Sequence, residues 1–143
     1  VPDIIHQRAA ESEILDVFES EQSLPALVLH SFDGSQRYAQ FAISTGAIVG
    51  VGGLATKQAS ASLRTLLEMV PVNQIVLETD SPYLIPTGAR GRRNVPANIP
   101  VIGRRLCSLW GLDEAEFARI TTANARRVFG LDSVAADAAG ART

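Results

Sequence analysis

The sequence predicts an α/β fold in which βα units build a parallel sheet, and three observations carry that reading. Short apolar runs alternate with stretches of helical periodicity along the chain. Three of those runs close on a residue able to bind metal or move a proton: Ile4-Ile5-His6, Ala26-Leu27-Val28-Leu29-His30, and Ile75-Val76-Leu77-Glu78-Thr79-Asp80. The last is stopped at once by Ser81-Pro82. A barrel strand delivers a functional side chain to the rim at its carboxyl end in this way.

The elements follow in order. After the strand ending at His6, a helix is expected over Ala10–Glu21, with Ile14, Leu15 and Phe18 on one stripe. Pro25 breaks the chain before a second strand over Ala26–Phe32, and Asp33-Gly34-Ser35 is a turn. Tyr38, Phe41 and Ala42 mark a helix that stops at Gly46. Ala47–Gly53 reads as a third strand running into a glycine-rich exit, where Gly50, Gly52 and Gly53 allow a close backbone approach rather than a dinucleotide site. Leu63, Leu66, Leu67 and Val70 give a helix over Gln58–Val70, closed by Pro71, and Gln74–Asp80 is the fourth strand. A loop rich in Pro, Gly and Arg spans Ser81–Pro100. Two short helices follow, the first ending at Gly111 and the second opening with Asp113 three residues before Glu116 as an N-terminal cap. Trp110, Phe117 and Phe129 are expected in the core. The domain is then 1–131, and the alanine- and glycine-rich 132–143 reads as a disordered tail.

Bulk properties narrow the function. The chain has 143 residues, 46% of them hydrophobic and 20% charged, with a net charge of −2. Such a balance is globular, and any grip on phosphate must come from a local basic patch rather than from the overall charge. One cysteine, Cys107, excludes a disulfide framework and reads as a buried thiol. No apolar run reaches the ~20 residues of a membrane span, so no membrane partner and a cytoplasmic location are expected.

The strand ends carry the chemistry. Neutral imidazole and carboxylate suit Zn²⁺, Mn²⁺ or Mg²⁺, so His6, His30 and Asp80 form a candidate metal site. A histidine that closes a strand is more often structural than ligating, and Asp80 before Ser-Pro has an alternative as a turn cap. Three such residues in one βα pattern favour a site, since the pattern sets them on one rim. Asp80 can ligate, act as general base on a metal-bound water, or do both. Glu78, two residues earlier, points to the same side of the strand and is expected to support the ligands or to pair with an arginine. Arg90, Arg92, Arg93 and Asn94 follow in the long loop and are candidate substrate-binding residues. The guanidinium forks match phosphate oxygens, although a plain solvated basic loop is the alternative.

Taken together these pieces resemble the TatD family of metal-dependent hydrolases among the amidohydrolase-like (βα)₈ TIM barrels. The matching motifs are Ile5-His6-Gln7-Arg8, Leu29-His30-Ser31-Phe32-Asp33-Gly34-Ser35, Leu77-Glu78-Thr79-Asp80-Ser81-Pro82-Tyr83-Leu84, Arg90-Gly91-Arg92-Arg93-Asn94-Val95-Pro96 and Thr121 through Leu131. The resemblance implies that His6 and His30 are the metal ligands ending the fifth and sixth barrel strands, and that Asp80 is the metal-binding, water-orienting aspartate of the eighth. It implies two divalent metal ions in the complete family site, DNA as substrate, and phosphodiester hydrolysis of the deoxyribonuclease type. Hydrolysis of an amide or ester by the same site is the alternative.

The departures from the family pattern are as informative. Neither the His-x-His of the first barrel strand nor the bridging Glu of the fourth has a counterpart here. A (βα)₈ barrel usually takes ~250 residues, and the chain enters a strand almost at its first residue. The expectation is therefore the C-terminal four βα units, strands five to eight, inactive alone and partnered by the missing N-terminal half-barrel or by itself. A non-catalytic half-barrel is the rival. Asp33, Val95 and Ala9 replace the family's usual Ser, acidic residue and Asp, which bears on substrate preference.

Overall fold

A computed structural model describes residues 1–131; the tail expected over 132–143 lies outside the described residues. Four strands, β1 (Asp3–His6), β2 (Leu27–His30), β3 (Ile48–Val51) and β4 (Ile75–Leu77), form one sheet in the order β1-β2-β3-β4. Every pair is parallel, with Ile4 beside Val28, Val28 beside Ile48, and Gly50 beside Val76. Helices α1 (Glu11–Ser20), α2 (Gln36–Thr45) and α3 (Ala61–Met69) make the crossovers, and α4 (Ile99–Leu106) and α5 (Glu114–Val128) follow β4. The expected alternation of strand and helix is thus present, with strands shorter than the apolar runs. β4 ends at Leu77, not Asp80, so Glu78 and Asp80 stand on the loop beyond it.

The two faces of the sheet differ because side chains alternate along a strand. Leu27, Leu29, Val49, Val51 and Ile75 turn toward the helices and join Leu15, Phe41, Leu67, Ile102, Leu106 and Phe117 in the main core. Val28, Ile48 and Val76 turn the other way and form a second, small cluster. Ala125 and Val128 of α5 pack on this cluster, and its three residues are buried. Ile4, on β1, is 59% exposed.

Buried polar side chains tie the amino ends of the strands to the helices. Gln74 donates to the carbonyls of Ala42 and Ala47 at 2.8 and 2.9 Å. Asn124 donates to those of Val72 and Ile75 at 2.8 Å each, and Trp110 to that of Val70 at 2.8 Å. Each gives a side-chain donor to backbone carbonyls at the ends of the strands and turns. Asp113 caps α5, accepting from Glu116 N at 2.8 Å as its sequence position implied. Cys107 is a buried free thiol, Phe117 is fully buried, and Trp110 stacks on Phe117. Phe129 departs from expectation. It is 39% exposed, because α5 ends at Val128 and the next residue leaves its apolar stripe.

Tyr38 of α2 stacks on Phe32 with ring centres 5.5 Å apart, and its hydroxyl is buried with no hydrogen-bond partner among the described residues. Burial, with Glu11 and Asp33 nearby, pushes its pKa up to about 12. The fold therefore favours the neutral phenol. Its contribution to stability is complete below pH 10, where the unfolded chain would ionise, and is lost as pH rises toward 12. Tyr38→Phe removes an unpaired buried hydroxyl and should raise stability by roughly 1 kcal/mol at neutral pH. Urea unfolding across alkaline pH should show the wild-type loss between pH 10 and 12 diminished in the variant.

Candidate functional site

The register of the sheet brings the two histidines together. His6 and His30 close β1 and β2 as directly paired residues, and their rings lie 5.5 Å apart at 35°. The chain then crosses to the exit of β4. Glu78 N still bonds Val51 O at 3.1 Å, so the first residue past the strand remains in the sheet's frame. Its side chain turns over the rim, where its Oε1 accepts from Ser31 N at 2.6 Å and lies 2.9 Å from His30 Nδ1.

That contact decides what His30 can do. With Nδ1 turned to the Glu78 carboxylate, Nε2 is the ring nitrogen that faces the rim. His30 Nε2 faces Asp80 Oδ1 at 3.7 Å. An imidazole nitrogen and a carboxylate oxygen thus point at shared space, with the imidazole oriented from behind by a second carboxylate, as in metal sites whose histidines are fixed by an outer acid. Imidazole and carboxylate suit a borderline or hard divalent cation, so His30 and Asp80 would hold one. His6 shares the rim, but among the described residues no group of three His, Cys, Asp or Glu side chains is placed to hold a metal ion. The expected three-ligand convergence is thus only partly formed: β1 is the sheet's edge strand and His6 is exposed.

Glycine makes room for this arrangement. A Cβ built on Gly50 would collide with Glu78 Oε2, and one on Gly53 would collide with the carbonyl of Leu84. Three residues on or beside the site have left-handed backbones despite bearing side chains: Ser31 at φ 50°, Asp80 at φ 55° and Leu84 at φ 51°. Such conformations persist only where neighbouring contacts hold them. Ser31 is held by its N–H to Glu78. Around Asp80 and Leu84 the holder is Asn94.

Asn94 was expected beside the arginines as a substrate contact, and the structure corrects this. The residue is 2% exposed. Its Nδ2 donates to Thr79 O at 2.7 Å and Leu84 O at 3.2 Å, while its Oδ1 accepts from Val95 N and from Asn98 Nδ2. Both amide hydrogens are spent on the loop, so nothing is left for a substrate. Asn94 instead ties the Asp80 turn to the segment that carries Arg90, Arg92 and Arg93. Those three are exposed and have no carboxylate partner among the described residues. Asp33 accepts from Gln7 at 3.4 Å, and Glu11 accepts from the backbone and hydroxyl of Ser35, so the β2 exit loop is fastened to α1. The glycine run hinted at Gly50; the roles of Ser31 and Asn94 had no sequence signal beyond their place in the motifs.

A parallel α/β sheet that sets histidines and a carboxylate on one rim belongs to the architecture of barrel-type hydrolases. The chain belongs to the TatD-related DNase family, whose family model matches residues 1–130; this is a family of metal-dependent hydrolases and nucleases. It is 35% identical over 130 residues to the "Uncharacterized metal-dependent hydrolase TatD" of Mycobacterium tuberculosis, a match covering 91% of this chain and 49% of that protein. It is 33% identical over 137 residues to the "3'-5' ssDNA/RNA exonuclease TatD" of Escherichia coli K12, covering 92% of this chain and 53% of that one. Among solved structures it resembles the TatD homologue YJJV of Escherichia coli (TM-score 0.79, 27% identity), covering 90% of this chain and 49% of that structure. It has the fold of a TatD-family hydrolase from Entamoeba histolytica (TM-score 0.77, 21% identity), covering 90% and 50% respectively. The chain spans about half the length of the curated relatives it matches. No helix among the described residues is long and apolar enough to cross a membrane.

The Gly50–Glu78 contact is testable by a double-mutant cycle. Gly50→Ala should destabilise the chain by about 1–3 kcal/mol, since the added methyl displaces a carboxylate held by the Ser31 N–H. In a Glu78→Ala background the same change should cost much less, because the atom it strikes is gone. Equal costs in both backgrounds, measured by urea unfolding, would show that Glu78 does not depend on Gly50.

Proposed function

We propose that this chain is the substrate-gripping and metal-binding C-terminal half of a nuclease that hydrolyses phosphodiester bonds in single-stranded DNA. The observation that carries the proposal is the His30 imidazole, its Nδ1 engaged by Glu78 and its Nε2 turned to Asp80. Nuclease chemistry on single strands is named for relatives that align over nine-tenths of this chain. In the proposed enzyme His6, His30 and Asp80 would hold a divalent metal ion (Mg²⁺, Mn²⁺ or Zn²⁺), which when bound would lower the pKa of water and offset charge on the phosphoryl oxygens. Glu78 fixes the tautomer and angle of His30. Asp80, beside that imidazole, is the base that takes the proton from the attacking water. Arg90, Arg92 and Arg93 hold phosphate oxygens by their forks, on a loop that Asn94 keeps attached to the Asp80 turn.

We further propose that β1 to β4 are strands five to eight of a TIM barrel. β1 and β4 are the edges of the sheet, each with a strand neighbour on one side only, and Ile4 on β1 is largely exposed. An N-terminal half-barrel that continues the sheet from β1 and closes it on β4 would pair both edges. Without that half, self-association is the available route to pairing them. The proposed site of action is the cytoplasm, where the single thiol of Cys107 stays reduced.

Residues 1–143 alone should show negligible nuclease activity in Mg²⁺ or Mn²⁺, and activity should appear when a family N-terminal half is co-expressed. In that reconstituted enzyme Asp80→Asn should lower turnover by at least about 100-fold while leaving the fold intact, since an amide cannot accept the proton. Arg92→Ala and Arg93→Ala should weaken DNA binding and flatten its salt dependence by about 0.7 in log–log slope for each phosphate no longer gripped. A monomer of the 143-residue chain that degrades DNA unaided would overturn the half-barrel reading. Unchanged DNA binding in the Arg variants would reduce the loop to solvated surface.

A further inference from the structure

A second basic site lies on the other side of the same loop. Between the turns after β3, the loop after β4 and the adjoining helices is a cavity of about 390 Å³, whose lining includes Thr56, Lys57, Arg64, Thr87 and Arg105 but no carboxylate. Lys57 Nζ donates to the carbonyl of Ile85. Arg64 Nη1 donates to the carbonyls of Ala55 and Lys57 at 3.1 and 2.6 Å. Two half-buried cations are therefore positioned by backbone carbonyls, which orient them without neutralising them. Neither they nor Arg105 has a carboxylate partner among the described residues.

The pocket is built rather than incidental. Thr56 Oγ1 donates to Gly53 O at 2.7 Å and accepts from Thr87 N at 2.9 Å, joining the two loops that form its walls. Gly88 has φ 94°, a backbone open to glycine alone, and a Cβ there would stand 3.0 Å from Arg105 Nη2. The guanidinium thus lies against the loop that continues to Arg90. Like charges gathered in a partly desolvated cleft raise the energy of the empty site, and a bound anion lowers it. In parallel barrels the loops after the last two strands are a frequent phosphate-binding place.

We propose that Lys57, Arg64 and Arg105 form a second phosphate-binding pocket, separate from the His30–Asp80 rim. Its ligand is a phosphate group, and because the loop joins it to Arg90, Arg92 and Arg93, that phosphate belongs to the nucleic-acid strand. The phosphate chemistry stands on the pocket alone; its assignment to a strand rests on the nuclease reading. The strand then runs from the Asp80 rim across the loop, so that the footprint is longer than the reacting nucleotide.

The test uses the 143-residue chain with two probes, inorganic phosphate followed by backbone amide resonances and a labelled single-stranded oligodeoxynucleotide followed by anisotropy. Phosphate at millimolar concentration should move the amides of Thr56, Lys57, Thr87 and Gly88. Arg105→Gln, at an exposed position, should abolish that response, weaken the oligonucleotide severalfold and flatten its log–log salt slope by about 0.7; Arg105→Glu should weaken it further. Arg119→Gln, an exposed cation on α5 outside the pocket, should do neither. A phosphate response with oligonucleotide binding untouched by the Arg105 variants confirms the pocket but assigns it to free phosphate. Weaker oligonucleotide binding without a phosphate response assigns it to diesters only. No phosphate response together with normal oligonucleotide binding in both Arg105 variants, or equal weakening by Arg119→Gln, overturns the proposal. Asp80→Asn should leave the phosphate response intact, so failure of the nuclease reading and failure of the pocket are told apart.

Discussion

The rim is organised by one carboxylate, that of Glu78. Its Oε1 meets both the Ser31 amide and the His30 imidazole, and through them three strands are held in one geometry: β2 at its exit, β3 beneath the carboxylate, and β4 from which the residue projects. A half-buried carboxylate is costly unless polar partners satisfy it, and the Ser31 N–H and the adjacent His30 imidazole do that here. These contacts impose two conditions. The position beneath must have no side chain, which Gly50 meets. The chain after His30 must turn so that its N–H points back at the carboxylate, which Ser31 meets at φ 50°.

The loop after β4 depends on the same frame. Asp80 can face His30 only because the chain reverses immediately after Thr79, and that reversal puts a non-glycine residue at φ 55°. One such residue costs of order 1–3 kcal/mol unless other contacts outweigh it. Asn94 supplies them, since its amide reaches carbonyls on both sides of the turn and its own backbone N–H bonds Pro82 O at 3.0 Å. The basic segment is thereby fastened to the acid it accompanies. The proposed phosphate grip needs that placement, because arginines on an unfastened loop would be free surface charge.

Much of this was legible in the residues. The apolar runs and helical patterns marked every strand and the main helices, because each contributes apolar side chains to a packed interior. The strand-end histidines and Asp80 were visible because functional residues of parallel sheets gather where strands end. What escaped was set by contacts between distant segments. Glu78 stood two residues from Asp80, which suggested a shared face, but its choice of His30 over an arginine depends on which strand lies beside β4. Asn94 resembled a substrate ligand by its neighbours, and only the path of the loop shows its amide enclosed by carbonyls. α5 read as an ordinary amphipathic helix; that Ala125 and Val128 would cover Val28, Ile48 and Val76 follows from its end passing the sheet's amino edge. Phe129, apolar and one residue beyond the helix, was misplaced because the stripe ends with the helix.

The main core lies wholly between the sheet and its helices, and this determines which parts of the site are firm. Leu29, Val49, Val51 and Ile75 are each 1% exposed or less, so β2, β3 and β4 are held from outside whatever faces their other side. Burial on that scale contributes about 1.5–3 kcal/mol for each large apolar side chain, and there are several such side chains on each of these strands' helix-facing sides or packed against them. His30, Glu78 and Asp80 are attached to those three strands and inherit their rigidity. His6 is attached to β1, whose residues are exposed or at most half-buried and which has a neighbour on one side only. The candidate site is therefore asymmetric: a preorganised pair at His30 and Asp80, and His6 on a strand with one neighbour, whose position waits on whatever pairs with the β1 edge. A metal bound by this chain would gain most of its affinity from the first pair, and the pairing of β1 would act on the site chiefly through His6.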